Sequence, residues 1–367
     1  MAEKAIRLGG ESTADAIVSA VDAMYTEHTF AEKDFALKHN EDEISVDTNF
    51  AAQNFWKEAL IRFFNKKSAV LGLVLIVVIV LLAVFGPGMN SYTYSGQDLS
   101  QKNFAPRVPG IEQFGILDGS EKMSTTTGTK VTNAYQEKDK PEVYYWFGSD
   151  LYGRDIWTRT WEGARVSLII AVAAAIIDML IGMSYGLISG YFGGRVDMVM
   201  QRFLEVANGI PRLVIVTLLL LVLQPGMVTI IFALMLTEWV GMSRIARAEM
   251  LKLKDQEFVL ASRTLGAGSF FIIFKEVLPN IIGPIITQVM FSIPTAIFTE
   301  AFLSFVGLGI PVPQCSLGSL ISELYNSFTT HPYQIIPPIV VMSLLMLSFN
   351  LVADGLREAL DPKMKSM

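Results

Sequence analysis

The chain has one cysteine, Cys315, in 367 residues, so no disulfide can form within it. A buried, inert thiol is the expectation. Three histidines occur, His28, His39 and His331, scattered through polar segments. No H-E-x-x-H, C-x-x-C or comparable metal-ligand spacing is present. The phosphate-cradling G-x-x-x-x-G-K-S/T pattern is missing too, so no nucleotide hydrolysis is expected of this chain itself. Charge is also scarce: 17% of residues are charged against 51% hydrophobic. The mean hydropathy is +0.43. That balance excludes an ordinary soluble domain and indicates a polytopic membrane protein. No cofactor, metal or nucleic-acid partner is expected, and no covalent chemistry.

The long apolar runs are the main feature. Ser68–Phe85 carries no charge and is long enough to cross a hydrocarbon core of ~30 Å. Five more spans are expected: about Ala164–Tyr191, interrupted by Asp178; Phe203–Leu223, kinked or broken at Pro211; Met227–Ala246; Ile281–Gly307, containing Pro284, Pro294 and Glu300; and Tyr333–Ala353. Six spans put both termini on one side. Lys and Arg cluster before span 1, between spans 2 and 3, between spans 4 and 5, and after span 6. The turn between spans 3 and 4 has none, nor does the stretch from Ile310 to Pro332. The positive-inside rule therefore places both termini in the cytoplasm.

Two regions fall outside the spans. The net charge of −6 is concentrated in residues 1–55, where 11 acidic residues face four basic ones. This start lacks the layout of a cleaved signal peptide. A small helical appendage and a disordered tail are both open for it. Residues 87–163 are expected to form a small extracytoplasmic lobe rather than a domain with its own core.

The loop between spans 4 and 5 has a pattern of its own. In "LASRTLGAGSFFIIFKEVLPN", Phe258, Ala261, Ser262 and Leu265 fall on one helical face. Gly266 suits a left-handed helix end. Ser269 suits the N-cap of a second short helix to Val277, which Pro279 is expected to stop at Leu278. Two readings of the residues stand: a membrane-surface elbow, or a docking helix whose small residues admit another protein's surface.

This loop resembles the EAA loop of importer-type ABC permeases: E-A-A, three residues, G, nine residues, I, one residue, L-P. Here it reads Leu260-Ala261-Ser262, Gly266, Glu276 and Leu278-Pro279, with Leu260 and Glu276 departing from the pattern. "FGSDLYGRDIWTRTWEGARVSL", "FTEAFLSFVGLGIPVP" and "FNLVADGLREALDPK" are similar to segments of the dipeptide and oligopeptide permease subfamily, and most similar to its second, or C, subunit. The resemblance covers about residues 57–364 and implies a type I ABC importer fold. Its parts would be an acidic cytoplasmic extension (1–56), a first transmembrane helix (57–86), the extracytoplasmic lobe (87–163), a permease core of spans 2–6 (164–355, with the EAA loop at about 249–280) and a cytoplasmic tail (356–367).

It also implies partners in a bacterial cytoplasmic membrane. These are a second homologous permease, two cytoplasmic P-loop ATPases that bind the ATP and Mg, and an extracytoplasmic peptide-binding protein. Oligopeptides are the implied cargo, with dipeptides, nickel or another small solute as alternatives. Phe258, Ala261, Ser262, Leu265, Gly266, Leu278 and Pro279 would couple to an ATPase. Independently of the resemblance, Asp178 and Glu300 are candidates for the translocation path, because an ionisable group in a span usually faces a bundle interior or water. An ion pair or hydrogen bond to the partner permease or to a neighbouring helix is the other reading. Glu238, near Arg244 and the cytoplasmic boundary, is expected in an ion pair or a hydrogen bond to the partner permease or a neighbouring helix. A stand-alone secondary transporter would require inverted repeats, and the sequence offers no matching half.

Overall fold

The computed structural model describes residues 55–125 and 128–360. The acidic segment 1–54 and the last seven residues lie outside that range, so the expectations for them do too.

The described chain is a helical bundle. Five helices are long and apolar enough to cross a membrane: Lys67–Gly88, Ile156–Phe192, Met227–Leu253, Ser269–Leu308 and Pro332–Leu360. Two shorter helices reach that length and hydropathy only when taken together as one broken span, the sixth. Gly194–Gly209 and Arg212–Val222 meet at a bend of 77°. Pro211 explains the break, since it has no N–H to donate and disfavours helix at the residue before it. The first half starts earlier than hydropathy suggests, because Gly194–Gly209 mixes charged with apolar residues. Span 2 likewise starts at Ile156, where the Asp155 side chain accepts from the Thr158 N–H as N-cap.

Span 5 corrects one expectation. No separate helix ends at Leu278. The N-cap is Gly268, not Ser269, and the helix is continuous through Pro279. A π-helical turn over Ile272–Val277 immediately precedes the proline. Such a turn changes the hydrogen-bond register, and a missing N–H in the next turn is then accommodated.

Close packing comes from small residues, as expected where lipid offers no hydrophobic drive for helix association. Gly182, Gly186 and Gly190 form a stripe on span 2 that lies against span 4. A Cβ at Gly182 would sit 2.5 Å from the Trp239 carbonyl oxygen, and one at Gly190 would sit 2.9 Å from Met250 Cβ. Gly72 of span 1 meets Leu351 and Ser348 of span 6 in the same way. At its far end, span 1 leaves carbonyls without helical partners. Arg165 of span 2 donates to two of them, Ala83 O at 3.0 Å and Val84 O at 3.1 Å.

The segment between spans 1 and 2 differs from the coreless lobe expected. Strands Ser120–Thr125 and Gly128–Asn133 form an antiparallel hairpin. Phe104, Tyr135 and Tyr145 are buried together beside it, a small core of its own. Aromatic side chains are large enough for three of them to supply one.

Candidate coupling and translocation sites

Helix Glu257–Thr264 lies between spans 4 and 5. Its C-terminus is a Schellman motif. Gly266 has φ +83, its N–H bonds to Arg263 O, and the Ala267 N–H bonds to Ser262 O, both at 3.0 Å. A residue with a side chain would be strained at that φ.

The helix has a fixed side and a free side. Val259 is fully buried, in one cluster with Leu187 of span 2, Met250 of span 4 and Ile272, Ile273 and Val277 of span 5. The Arg263 guanidinium stacks on the Tyr191 ring, 4.8 Å from its centroid. On the other side, Phe258, Ala261 and Leu265 are exposed, and Ser262 is half-buried. Leu265 is 88% exposed, extreme for a leucine. Leu278 is half-buried and Pro279 exposed at the start of the continuous helix. The motif spacing did not single out Phe270 and Phe271, yet both are exposed beside the loop helix. Two adjacent phenylalanines ahead of the apolar run that begins at Ile281 were the available signal. The result is an apolar, uncovered surface on a helix whose back is packed into three spans.

The two path candidates do not come together. Glu300 is fully buried within its own chain. Ser316 Oγ donates to it at 2.5 Å, Ser304 Oγ at 2.7 Å and Ser167 Oγ at 3.2 Å. These hydroxyls come from span 2, span 5 and the N-cap of helix Leu317–Tyr325. Glu300 thus has the neighbouring-helix environment that was the alternative to a path. Asp178 begins the π-helical turn Asp178–Met183 of span 2 and is buried beside Ser292. Its Oδ1 has no hydrogen-bond partner among the described residues. Glu238 is paired, though with Arg212 at 2.7 Å rather than Arg244.

Toward the end that the charge pattern assigns to the outside, four charges form a neutral knot, with Asp150, Arg154 and Arg159 buried and Glu323 half-buried. Asp150 accepts from Arg154 at 2.6 Å and from Arg159 at 2.8 Å. Glu323 accepts from both arginines, at 2.7 Å from Arg159. Burial would raise the Glu323 carboxyl, but the attraction of Arg159 and the guanidinium hydrogen bonds outweigh it and hold it below the usual carboxylate range. Asp150 and Arg154 therefore fix the loop, as charges around a Gly turn usually do. Cys315 is a buried free thiol.

Residues 182–366 match the family model described as the binding-protein-dependent transport system inner membrane component. Residues 54–106 match the N-terminal TM domain of oligopeptide transport permease C. The chain is 41% identical over 312 residues to the oligopeptide transport system permease protein OppC of Bacillus subtilis, covering 85% of this chain and 91% of that one. It is 38% identical over 332 residues to the dipeptide transport system permease protein DppC of the same organism, covering 90% and 93%. The corresponding DppC of Lactococcus lactis is 41% identical over 318 residues, covering 85% and 92%.

Proposed function

The chain belongs to the family of binding-protein-dependent transport system inner membrane components, and from that premise we propose that it is the permease subunit of an ATP-driven importer of peptides. The peptide class follows from relatives named for oligopeptide and dipeptide transport, at 38 to 41% identity over most of their length. Oligopeptides are the favoured cargo. The chain supplies half of the translocation path and catalyses no reaction.

ATP and Mg act elsewhere in the complex, on two P-loop ATPase subunits. A second homologous permease supplies the other half of the path, and an extracytoplasmic binding protein delivers the peptide. Both termini lie in the cytoplasm of a bacterium.

The observation that carries this reading is the nearly uncovered Leu265 on a helix locked into spans 2, 4 and 5. A leucine gains about 1.5–3 kcal/mol on burial, so a partner that covers this surface gains stabilisation of that order. Phe258, Ala261, Ser262 and Leu265 seat in that partner. The Gly266 turn and the Leu278-Pro279 start of span 5 transmit its movement. Two bundle conformations must then differ in their contacts with the nucleotide-bound ATPase pair, because a ligand shifts an equilibrium only by its differential affinity.

The test is affinity purification of the intact chain from its native membrane in mild detergent. Recovery with two P-loop ATPases and a second six-span permease is expected. Repeated recovery of the chain alone would overturn the proposal and favour a stand-alone transporter.

A further inference from the structure

Three polar features meet at one level of the bundle, and the coupling surface uses none of them. The first is the break in span 3. Gly209, Ile210, Pro211 and Arg212 at the break are all exposed. Non-helical backbone and charge at membrane depth are tolerated only inside protein or along a water-filled route.

The depth follows from three helices. Arg212 lies ten residues from the end of its helix at Val222. Glu238 lies eleven residues from Met227, and Thr299 nine from Leu308. At about 1.5 Å per residue all three lie roughly 13–17 Å from the outer end. That is about the midplane of a ~30 Å core.

The second feature is the Arg212–Glu238 pair. Among the described residues only Arg212 Nη1 is engaged, at 2.7 Å, and half of the arginine side chain is uncovered, against 11% of the glutamate. A guanidinium has five N–H donors in a planar fork. A second carboxylate can therefore bind without displacing Glu238.

The third is a stripe on span 5. Gln288, Ser292, Thr295 and Thr299 recur at helical spacing and are half-buried or exposed in this chain. Thr299 Oγ1 lies 3.5 Å from Glu238 Oε1, which joins the stripe to the ion pair. From Gln288 to Thr299 the stripe runs about 16 Å. That length matches about five residues of extended peptide at ~3.3 Å each. Ser292, Thr295 and Thr299 each donate to a carbonyl of their own helix, Val289 O at 2.9 Å, Phe291 O at 3.0 Å and Thr295 O at 2.8 Å, so their oxygens are left to accept from peptide N–H groups, while the Gln288 amide can do both.

We propose that the span 5 stripe and Arg212 form a peptide-binding station that runs inward from mid-membrane, the stripe holding the main chain and Arg212 the terminal carboxylate. This rests on the importer reading and adds to it where the cargo pauses. The direction follows: the C-terminal residue of the peptide lies at the Thr299 end, and the chain extends along the stripe toward Gln288.

The test uses the purified complex in proteoliposomes, supplied by its own binding protein, with radiolabelled pentaalanine and pentaalanine amide. Both permeases receive cargo from the same binding protein, so a changed acid-to-amide uptake ratio belongs to this chain. Arg212→Gln is expected to lower uptake of the free acid by about tenfold, the scale of one charge-assisted hydrogen bond, and to move the ratio toward one. Arg212→Lys is expected to retain part of the preference. In a Cys315→Ser background, Thr295→Cys should react with a water-soluble maleimide and be shielded by pentaalanine. Leu180→Cys, on an apolar exposed face, should not react. An unchanged acid-to-amide ratio in Arg212→Gln, or a Thr295→Cys that reacts no faster than Leu180→Cys, would overturn the station while leaving the importer intact. A parent complex that hydrolyses ATP but imports neither peptide would overturn the importer reading, and the station with it.

Discussion

Replacing Leu265 with alanine separates docking from folding. The side chain is 88% exposed, so truncation removes almost no packing within the chain. Three carbons are lost. At about 0.8 kcal/mol per buried methylene, a partner covering them loses about 2 kcal/mol, or roughly 30-fold in its hold on the loop. The Gly266 turn depends on backbone bonds and is untouched. The assay is ATP-driven peptide uptake by the purified complex, read beside its ATP hydrolysis and the thermal melting of the chain. Uptake per ATP is expected to fall at least severalfold while the melting temperature stays within about 1 °C, the range of a change well below 1 kcal/mol. Wild-type uptake per ATP in Leu265→Ala would refute the claim that this face carries the coupling. A large drop in melting temperature would refute the claim that the face is uncovered.

Other perturbations test other parts of the account. Gly266→Asp, at φ +83 with open space around it, should cost about 1 kcal/mol of strain, leave the protein in the membrane and uncouple uptake; wild-type uptake would contradict it. Gly186→Leu should block the span 2–span 4 contact and lower the yield of folded protein, by overpacking worth about 1–3 kcal/mol; recovery of a wild-type melting curve would count against the glycine stripe. Glu300→Ala should destabilise by about 2–4 kcal/mol, because three buried hydroxyls lose their acceptor, and Glu300→Gln by less; equal melting of both variants would count against the network. The Glu323 carboxyl is held low in the folded chain, so its stabilisation is complete above the usual Glu range of about 4.3. It is lost as pH falls through the lowered folded value, and Glu323→Gln should flatten that acid limb of a stability–pH curve.

Much of the bundle was legible because a bilayer constrains sequence so strongly. Spans 1, 2, 4, 5 and 6 were found from apolar length, and Pro211 marked the division of span 3. Gly266 was readable as a helix end, since only a backbone free of Cβ takes that φ cheaply. Pro279 misled for a physical reason. Local rules end a helix at such a residue, but a π-helical turn and burial of Ile272, Ile273 and Val277 carry it through.

The candidate sites were less legible, since their partners are distant in sequence. The hydroxyls around Glu300 come from Ser167 and Ser316 as well as Ser304, and the nearest partner to Glu238 is 26 residues away at Arg212. Intramembrane acids can be counted in a sequence, but whether each faces a neighbour or a route depends on helix rotation. Phe270 and Phe271 sat in plain view beside the motif. Their exposure follows from the direction in which span 5 begins, which Pro279 seemed to deny.

The measurement that bears most directly on the central claim is uptake of labelled peptide by proteoliposomes containing the affinity-purified complex, with its binding protein on the outer side. The account predicts accumulation that requires ATP hydrolysis inside and stops when the Leu265 surface is altered. Accumulation without ATP, or ATP hydrolysis that never moves peptide, would contradict it.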